Sequence, residues 1–181
     1  DFRYILEAEK GLKDVAVKRY SSSHAQTMFE IAAAQKVKTI AFDDRHVSLA
    51  LFKKMKSACP KGISLVNRNN LIENLREIKS TFEVNQIRKA LKINLDAYAF
   101  LKKVVKPGQS EKDVLLKLEG YVKGRGAGFS FDPIIAGGPN SCFPHARVTD
   151  RKIKADEPLL IDMGIDVDGY KSDLTRIFFL G

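Results

Sequence analysis

Short apolar runs alternate with helical patterns over the first 79 residues. The runs at 15–17, 36–42 and 63–66 predict strands, and the strand at 36–42 is predicted to be buried. Between and after them, apolar residues recur at spacings of three and four, which predicts helices. These residues are Met28, Ile31 and Ala32; Val47, Leu51 and Met55; and Leu71, Leu75 and Ile78. The alternation predicts a three-layer α/β domain with a largely parallel sheet.

A change of pattern near residue 79 predicts a domain boundary. Ser80 and Glu83 have the spacing of a capping box, and a long helical stripe follows them. The stripe consists of Val84, Ile87, Leu91, Leu95, Tyr98, Leu101 and Val105. We therefore predict two domains, residues 1–79 and residues 80–181.

The second domain begins with two helices and continues with strands. Pro107-Gly108 ends the first helix, and Ser110 caps a second one that carries Val114, Leu118 and Tyr121. The pattern then changes to strands at 132–136, 158–165 and 170–180. Two helices followed by antiparallel strands predict an α+β arrangement.

An Asp-Gly pair between two strand patterns gives the strongest chemical signal. Asp168-Gly169 is a favoured dipeptide for a two-residue type I′ turn. Such a turn places Asp162 opposite Thr175, and alternate residues of a strand share a face. Asp173 is then the diagonal neighbour of Asp162, with Cβ atoms roughly 6–8 Å apart.

Two carboxylates at that distance repel each other, and burial makes their charge costly unless it is paired or ligated. A divalent cation between Asp162 and Asp173 removes the penalty, and oxygen ligands suit Mn²⁺ or Mg²⁺. The alternatives are that Asp173 pairs with Arg176 and that Asp162 accepts backbone hydrogen bonds. The spacing alone leaves these interpretations open.

A second signal is the turn-rich loop 137–146, which presents His145 after an apolar strand. An isolated histidine in a loop is more often a surface or packing residue than a functional one. His24 and His46 lie at predicted helix starts and are interpreted as surface residues. Loop position alone therefore assigns no role to His145.

Composition narrows the function classes. Hydrophobic residues make up 44% and charged residues 29%, and 31 Lys and Arg against 22 Asp and Glu give a net charge of +9. The basic residues are scattered among acidic ones, which favours a solvated surface over nucleic-acid binding. No apolar run predicts a membrane span. Cys59 and Cys142 lack metal-finger spacing and are interpreted as reduced thiols of a cytoplasmic protein.

Several motifs together resemble one family, the pita-bread metallopeptidases that include Xaa-Pro dipeptidases (prolidases), Xaa-Pro aminopeptidases and creatinase. In the second domain the similarity runs through Ser130-Phe131-Asp132, Gly138-Pro139-Asn140, Pro144-His145-Ala146, Asp150-Arg151, Ile161-Asp162-Met163-Gly164 and Gly169-Tyr170-Lys171-Ser172-Asp173-Leu174-Thr175-Arg176. Upstream, Arg76–Ser80, Glu83 and Ile87–Ala90 resemble the family's entry helix, and Asp1–Tyr4 resembles part of a creatinase-type N-terminal domain. The resemblance implies a creatinase-like α/β domain followed by the first half of an α+β pita-bread catalytic domain, and both ends of the chain are expected to be cut.

The resemblance also implies a chemistry. Asp162 is expected to serve one metal ion, Asp173 to bridge two, and His145 to act on the substrate without ligating metal. Mn²⁺ is the expected metal, with Co²⁺ or Zn²⁺ as alternatives, and one further His and two Glu ligands are expected beyond residue 181. The implied enzyme is a homodimeric hydrolase that cleaves peptides with proline at the second position, and this chain alone is expected to be inactive.

Three alternatives share the fold. Methionine aminopeptidase is disfavoured by the accessory domain and by the motifs around His145 and Asp173, which resemble those of the proline-directed members of the family. Creatinase-like hydrolysis of a non-peptide bond is a second alternative, and the sequence does not identify the residues that would bind its substrate. A non-catalytic relative that binds partner proteins is disfavoured because Asp162, Asp173 and His145 are all present.

Overall fold

The computed structural model describes residues 4–12, 15–20 and 23–181, and the chain divides into two compact units, Asp1–Glu77 and Ile78–Gly181. In its described residues, the first unit alternates helices with two strands. Its elements are α1 (Ile5–Gly11), α2 (His24–Ala34), β1 (Thr39–Phe42), α3 (Leu49–Ala58), β2 (Ser64–Asn67) and α4 (Leu71–Glu77). β1 and β2 pair in parallel, from Thr39 opposite Ser64 to Phe42 opposite Asn67. The predicted parallel α/β character is therefore confirmed.

Two details of the first unit differ from prediction. Residues 15–20 have no regular secondary structure, and Val15 is exposed, so the predicted strand at 15–17 is wrong. A three-residue apolar run forms a strand only where another strand pairs with it. The residues of β1 alternate between exposed and half-buried, so the prediction that this strand is buried is also wrong.

The second unit contains two helices and two small antiparallel sheets. Its helices are α5 (Thr81–Val104) and α6 (Glu111–Lys123), and a 3-10 helix spans Gly138–Cys142. Its strands are β3 (Gly128–Phe129), β4 (Ile134–Gly137), β5 (Pro158–Met163), β6 (Ile165–Val167), β7 (Tyr170–Lys171) and β8 (Leu174–Phe179). The strand orders are β3-β6-β7 and β4-β5-β8. No helix in the described part of the chain is both long and apolar enough to cross a membrane.

Both predicted helix starts in this unit are confirmed. Ser80 and Glu83 form a reciprocal capping box at α5, and Ser110 and Asp113 form one at α6. In each box the serine hydroxyl accepts from a backbone N–H while the carboxylate accepts from the serine N–H. The boxes fix where the two long helices of the unit begin.

The buried face of α5 differs from the predicted stripe. Leu91 and Leu95 are exposed, whereas Ala90, Asn94 and Ala97 are fully buried. Small and amide side chains occupy this face because α5 packs closely on β6 and β7. The main core, in contrast, consists of apolar residues from α5, α6, β4 and β5, with Leu101, Leu118, Ile135, Leu159 and Ile161 all fully buried.

The predicted hairpin forms, but it is divided into two ladders. Asp168 and Gly169 have φ values of 53° and 83°, so the predicted type I′ turn is confirmed. Val167 lies opposite Tyr170 in the β6–β7 ladder, and the same register continues into the β5–β8 ladder. The long predicted strand at 158–165 is interrupted at Gly164, between β5 and β6. A Cβ there would lie 1.8 Å from Ser130 Oγ, so only glycine fits.

Candidate metal centre

An open cavity of about 780 Å³ in the second unit brings the three predicted site residues together. Asp162, Asp173 and His145 all line it, as does Asp132. The remaining wall includes the apolar side chains of Leu115, Phe131, Pro133 and Ile134. The cavity therefore combines acidic groups, an imidazole and an apolar surface.

Asp162 projects into this cavity from the central strand of its sheet. It lies directly opposite Thr175, as the turn predicts, and Thr175 Oγ1 donates a 2.7 Å hydrogen bond to Asp162 Oδ1. Its neighbours Ile161 and Met163 are fully buried, whereas Asp162 is half-buried. The strand thus holds the carboxylate at the cavity wall between two anchored residues.

Asp173 lies at the exposed side of the same cavity, immediately before β8. The preceding residue, Ser172, is buried, and its Oγ accepts hydrogen bonds from Ile165 N at 3.2 Å and from Asn94 Nδ2 at 3.1 Å. Arg176, the alternative partner of Asp173, donates to the Thr175 carbonyl and lies 5.9 Å from the Tyr98 ring centroid. The neighbouring Ser172 is therefore anchored, and the contacts of Arg176 are to Thr175 and Tyr98 rather than to Asp173.

Tyr98 responds to the charge of both carboxylates. Burial is the main cause that raises the pKa of Tyr98 above its ordinary value, and the negative charges of Asp162 and Asp173 raise it further. The Tyr98 hydroxyl lies within hydrogen-bonding distance of the Ile161 and Leu174 carbonyl oxygens. A neutral tyrosine thus links β5 and β8 next to the acidic pair.

His145 belongs to the segment that follows the 3-10 helix. Its side chain is exposed at the cavity wall, and the next residue, Ala146, is buried against Ile134 and Ala136. Ala146 N donates to Phe143 O at 3.2 Å, which closes a turn around the histidine. His145 therefore lines the same cavity as Asp162 and Asp173, a convergence that the spacing of the sequence alone does not predict.

Another acidic group lies in the first unit. Ligand atoms of Asp43, His46 and Glu73 lie within 4.8 Å of one another. Arg45 forms ion pairs with both carboxylates of this group, at 2.5 Å to Asp43 and 3.8 Å to Glu73. The hydrogen bond from Arg45 lowers the pKa of Asp43 far below its usual range. The Arg45 guanidinium therefore already pairs with the carboxylates of this group.

The acidic pair in the cavity fits a hard divalent cation. Two carboxylates at one wall offer the oxygen ligands that such ions prefer. Among the residues that the structure describes, no further His, Cys, Asp or Glu joins Asp162 and Asp173 in a cluster of three. The acidic pair is therefore a candidate for part of a ligand set.

Similarity to known families identifies the class of protein to which the chain belongs. The chain belongs to metallopeptidase family M24, because the model of that family matches residues 85–181. Residues 1–78 match the model of the Creatinase/Prolidase N-terminal domain. Both the resemblance and the fold class expected from the sequence are confirmed.

Particular relatives agree with this assignment. The chain is similar to the uncharacterized peptidase YqhT of Bacillus subtilis (strain 168), with 32% identity over 182 residues that cover 100% of this chain and 51% of that protein. Among solved structures it is similar to an X-Pro aminopeptidase from Thermotoga maritima MSB8, with a TM-score of 0.87 and 27% identity over 100% of this chain and 51% of that one. A Xaa-Pro dipeptidase from Bacillus anthracis gives a TM-score of 0.88 and 25% identity over 99% and 50%. The chain spans about half the length of the relatives it matches.

Proposed function

We propose that the full-length protein to which this chain belongs is a metallo-exopeptidase that hydrolyses the peptide bond before proline. The observation that carries the proposal is the convergence of Asp162, Asp173 and His145 on one cavity. Membership of family M24 supports metallopeptidase chemistry. The similar structures of an X-Pro aminopeptidase and a Xaa-Pro dipeptidase support proline specificity.

Asp162 and Asp173 are the proposed metal ligands. Asp162 would serve one divalent cation and Asp173 would serve two, with Mn²⁺ as the expected metal and Co²⁺ or Zn²⁺ as alternatives. Divalent cations supply Lewis-acid polarisation of a carbonyl and lower the pKa of water. Thr175 orients the carboxylate of Asp162 through its hydrogen bond to Oδ1, and Asp162 lines the cavity.

His145 and the apolar wall act on the substrate. From the exposed side of the cavity, the imidazole of His145 donates a hydrogen bond to the oxygen of the scissile carbonyl and stabilises the charge that develops there. Phe131, Pro133 and Ile134 provide an apolar surface for a proline ring. A proline amide has no N–H and a restricted φ, so its recognition depends on shape rather than on a backbone hydrogen bond.

The 181-residue chain and the full-length protein are expected to differ in metal binding and activity. Because one His and two Glu ligands are expected outside the 181 residues, the chain alone is expected to bind metal weakly and to show no turnover. The full-length protein is expected to be a homodimer. Its expected location is the cytoplasm, which agrees with the two free cysteines, Cys59 and Cys142.

Hydrolysis of Xaa-Pro peptides by the full-length protein tests the proposal. Activity should depend on Mn²⁺, disappear on chelation and be lost in Asp173→Ala. Asp168→Asn is the matched control, because it removes a carboxylate from the same hairpin but retains a residue suited to the turn. Activity that survives Asp173→Ala would contradict the assigned role of this residue.

A further inference from the structure

Glu111 is a fully buried carboxylate outside the predicted site. It occupies the first position of α6, directly after the N-cap residue Ser110. Burial of an ionised carboxylate is costly unless hydrogen bonds compensate for the lost water. The helix start is already capped by Ser110 and Asp113, so capping does not explain why Glu111 is buried.

Both oxygens of Glu111 accept hydrogen bonds from a single stretch of chain. Oε1 accepts from Gly137 N at 2.8 Å and from Asn140 Nδ2 at 3.0 Å. Oε2 accepts from Thr149 N at 2.9 Å, from Thr149 Oγ1 at 2.7 Å and from Asn140 Nδ2 at 3.0 Å. Position at a helix N-terminus favours the negative charge further.

These partners bracket His145. Gly137 ends β4, Asn140 lies within the 3-10 helix, and Thr149 follows the histidine by four positions. Asn140 Nδ2 also donates to Arg147 O at 3.2 Å, two residues after His145. One buried carboxylate therefore holds the segment that carries the exposed histidine at both of its ends.

We infer that Glu111 is a positioning residue for His145, an inference that rests on the proposed function. The segment from 143 to 149 has no strand or helix of its own, so side-chain hydrogen bonds at its ends help to define its path, together with the turn from Phe143 to Ala146. A catalytic group on a loop needs such support because a displacement of about 1 Å is enough to lower the rate greatly. Glu111 supplies this support from a rigid helix.

A double-mutant cycle on the full-length protein tests the kinetic part. Glu111→Gln should lower kcat at least about tenfold with a smaller change in KM and an unchanged metal content. In a His145→Ala background, Glu111→Gln should cause no further loss, because its effect passes through the histidine. Losses that multiply, or a fall in metal content, would overturn the inference.

Hydrogen exchange tests the structural part without reference to activity. In Glu111→Gln, the amides of Gly137 and Thr149 should exchange at least about tenfold faster, whereas amides of α5 should not change. Asp150→Asn is the matched control, since its carboxylate is adjacent to Thr149 but exposed and paired with Lys112. If Glu111→Gln does not fold, Thr149→Val removes one donor and should give a smaller acceleration.

The two measurements separate the possible failures. If the wild-type protein shows no Xaa-Pro hydrolysis, the proposed function fails, and faster exchange confined to 137–149 still supports Glu111 as the anchor of this segment. Unchanged exchange in both Glu111→Gln and Thr149→Val would overturn the anchoring role whatever the activity.

Discussion

Thr175 and Asp162 face each other across the β5–β8 ladder, and the threonine hydroxyl donates a 2.7 Å hydrogen bond to Asp162 Oδ1. The type I′ turn at Asp168-Gly169 sets this pairing six residues away along each strand. Local turn chemistry therefore determines which side chain supports the proposed metal ligand.

Removal of the Thr175 hydroxyl should weaken metal binding. Thr175→Val retains the shape of the side chain but leaves Asp162 without its donor, so the affinity of the full-length protein for Mn²⁺ should fall by about 10-fold to 100-fold. Isothermal titration calorimetry measures the change. Thr175→Ser keeps a hydroxyl and should retain most of the affinity; equal losses in both variants would contradict the role of the hydrogen bond.

Gly164 should tolerate no side chain. A Cβ there would lie 1.8 Å from Ser130 Oγ and 2.5 Å from the Ser172 carbonyl oxygen. Gly164→Ala should therefore lower the free energy of unfolding by about 1–3 kcal/mol, as measured by urea denaturation. Gly128→Ala is the matched control, because a Cβ at Gly128 meets nothing within 4 Å. It should change the free energy of unfolding by less than about 0.5 kcal/mol.

Tyr98 should make stability sensitive to alkaline pH. Burial, with the charges of Asp162 and Asp173, raises its pKa in the folded state above the unfolded value of about 10. The stabilisation from neutral Tyr98 is thus complete below pH 10 and is lost as the pH rises toward the folded-state pKa. Denaturation curves at several pH values should show this loss in the wild type.

Tyr98→Phe provides the comparison for the alkaline loss. It removes a hydroxyl that contacts the Ile161 and Leu174 carbonyls, so the variant should be less stable by about 1–2 kcal/mol near neutral pH. The difference between the two proteins should shrink above pH 10. A constant difference across that range would contradict the assigned pKa shift.

Local rules predicted much of this structure because the relevant interactions are short-range. The capping boxes at Ser80 and Ser110 and the turn at Asp168-Gly169 depend on residues within three or four positions. The opposition of Asp162 and Thr175 follows from that turn by counting. The convergence of His145 with them does not follow, because it depends on how a separate loop packs.

Tertiary packing explains why the apolar periodicity of the sequence did not identify all the buried residues of α5 and α6. Ala90, Asn94 and Ala97 form the buried face of α5, so a search for large apolar residues selected Leu91 and Leu95 instead. Glu111 did leave a signal: it precedes Val114 and Leu118 by three and seven residues and shares their buried face. A charged residue within an apolar stripe thus indicated a buried carboxylate with compensating hydrogen bonds.

Anomalous diffraction from crystals of the full-length protein soaked in Mn²⁺ tests the central claim most directly. The account predicts anomalous peaks within metal–ligand distance of the Asp162 and Asp173 carboxylates, and their loss in Asp173→Ala crystals. A peak confined to the Asp43, His46 and Glu73 group, with none beside Asp162 and Asp173, would contradict it.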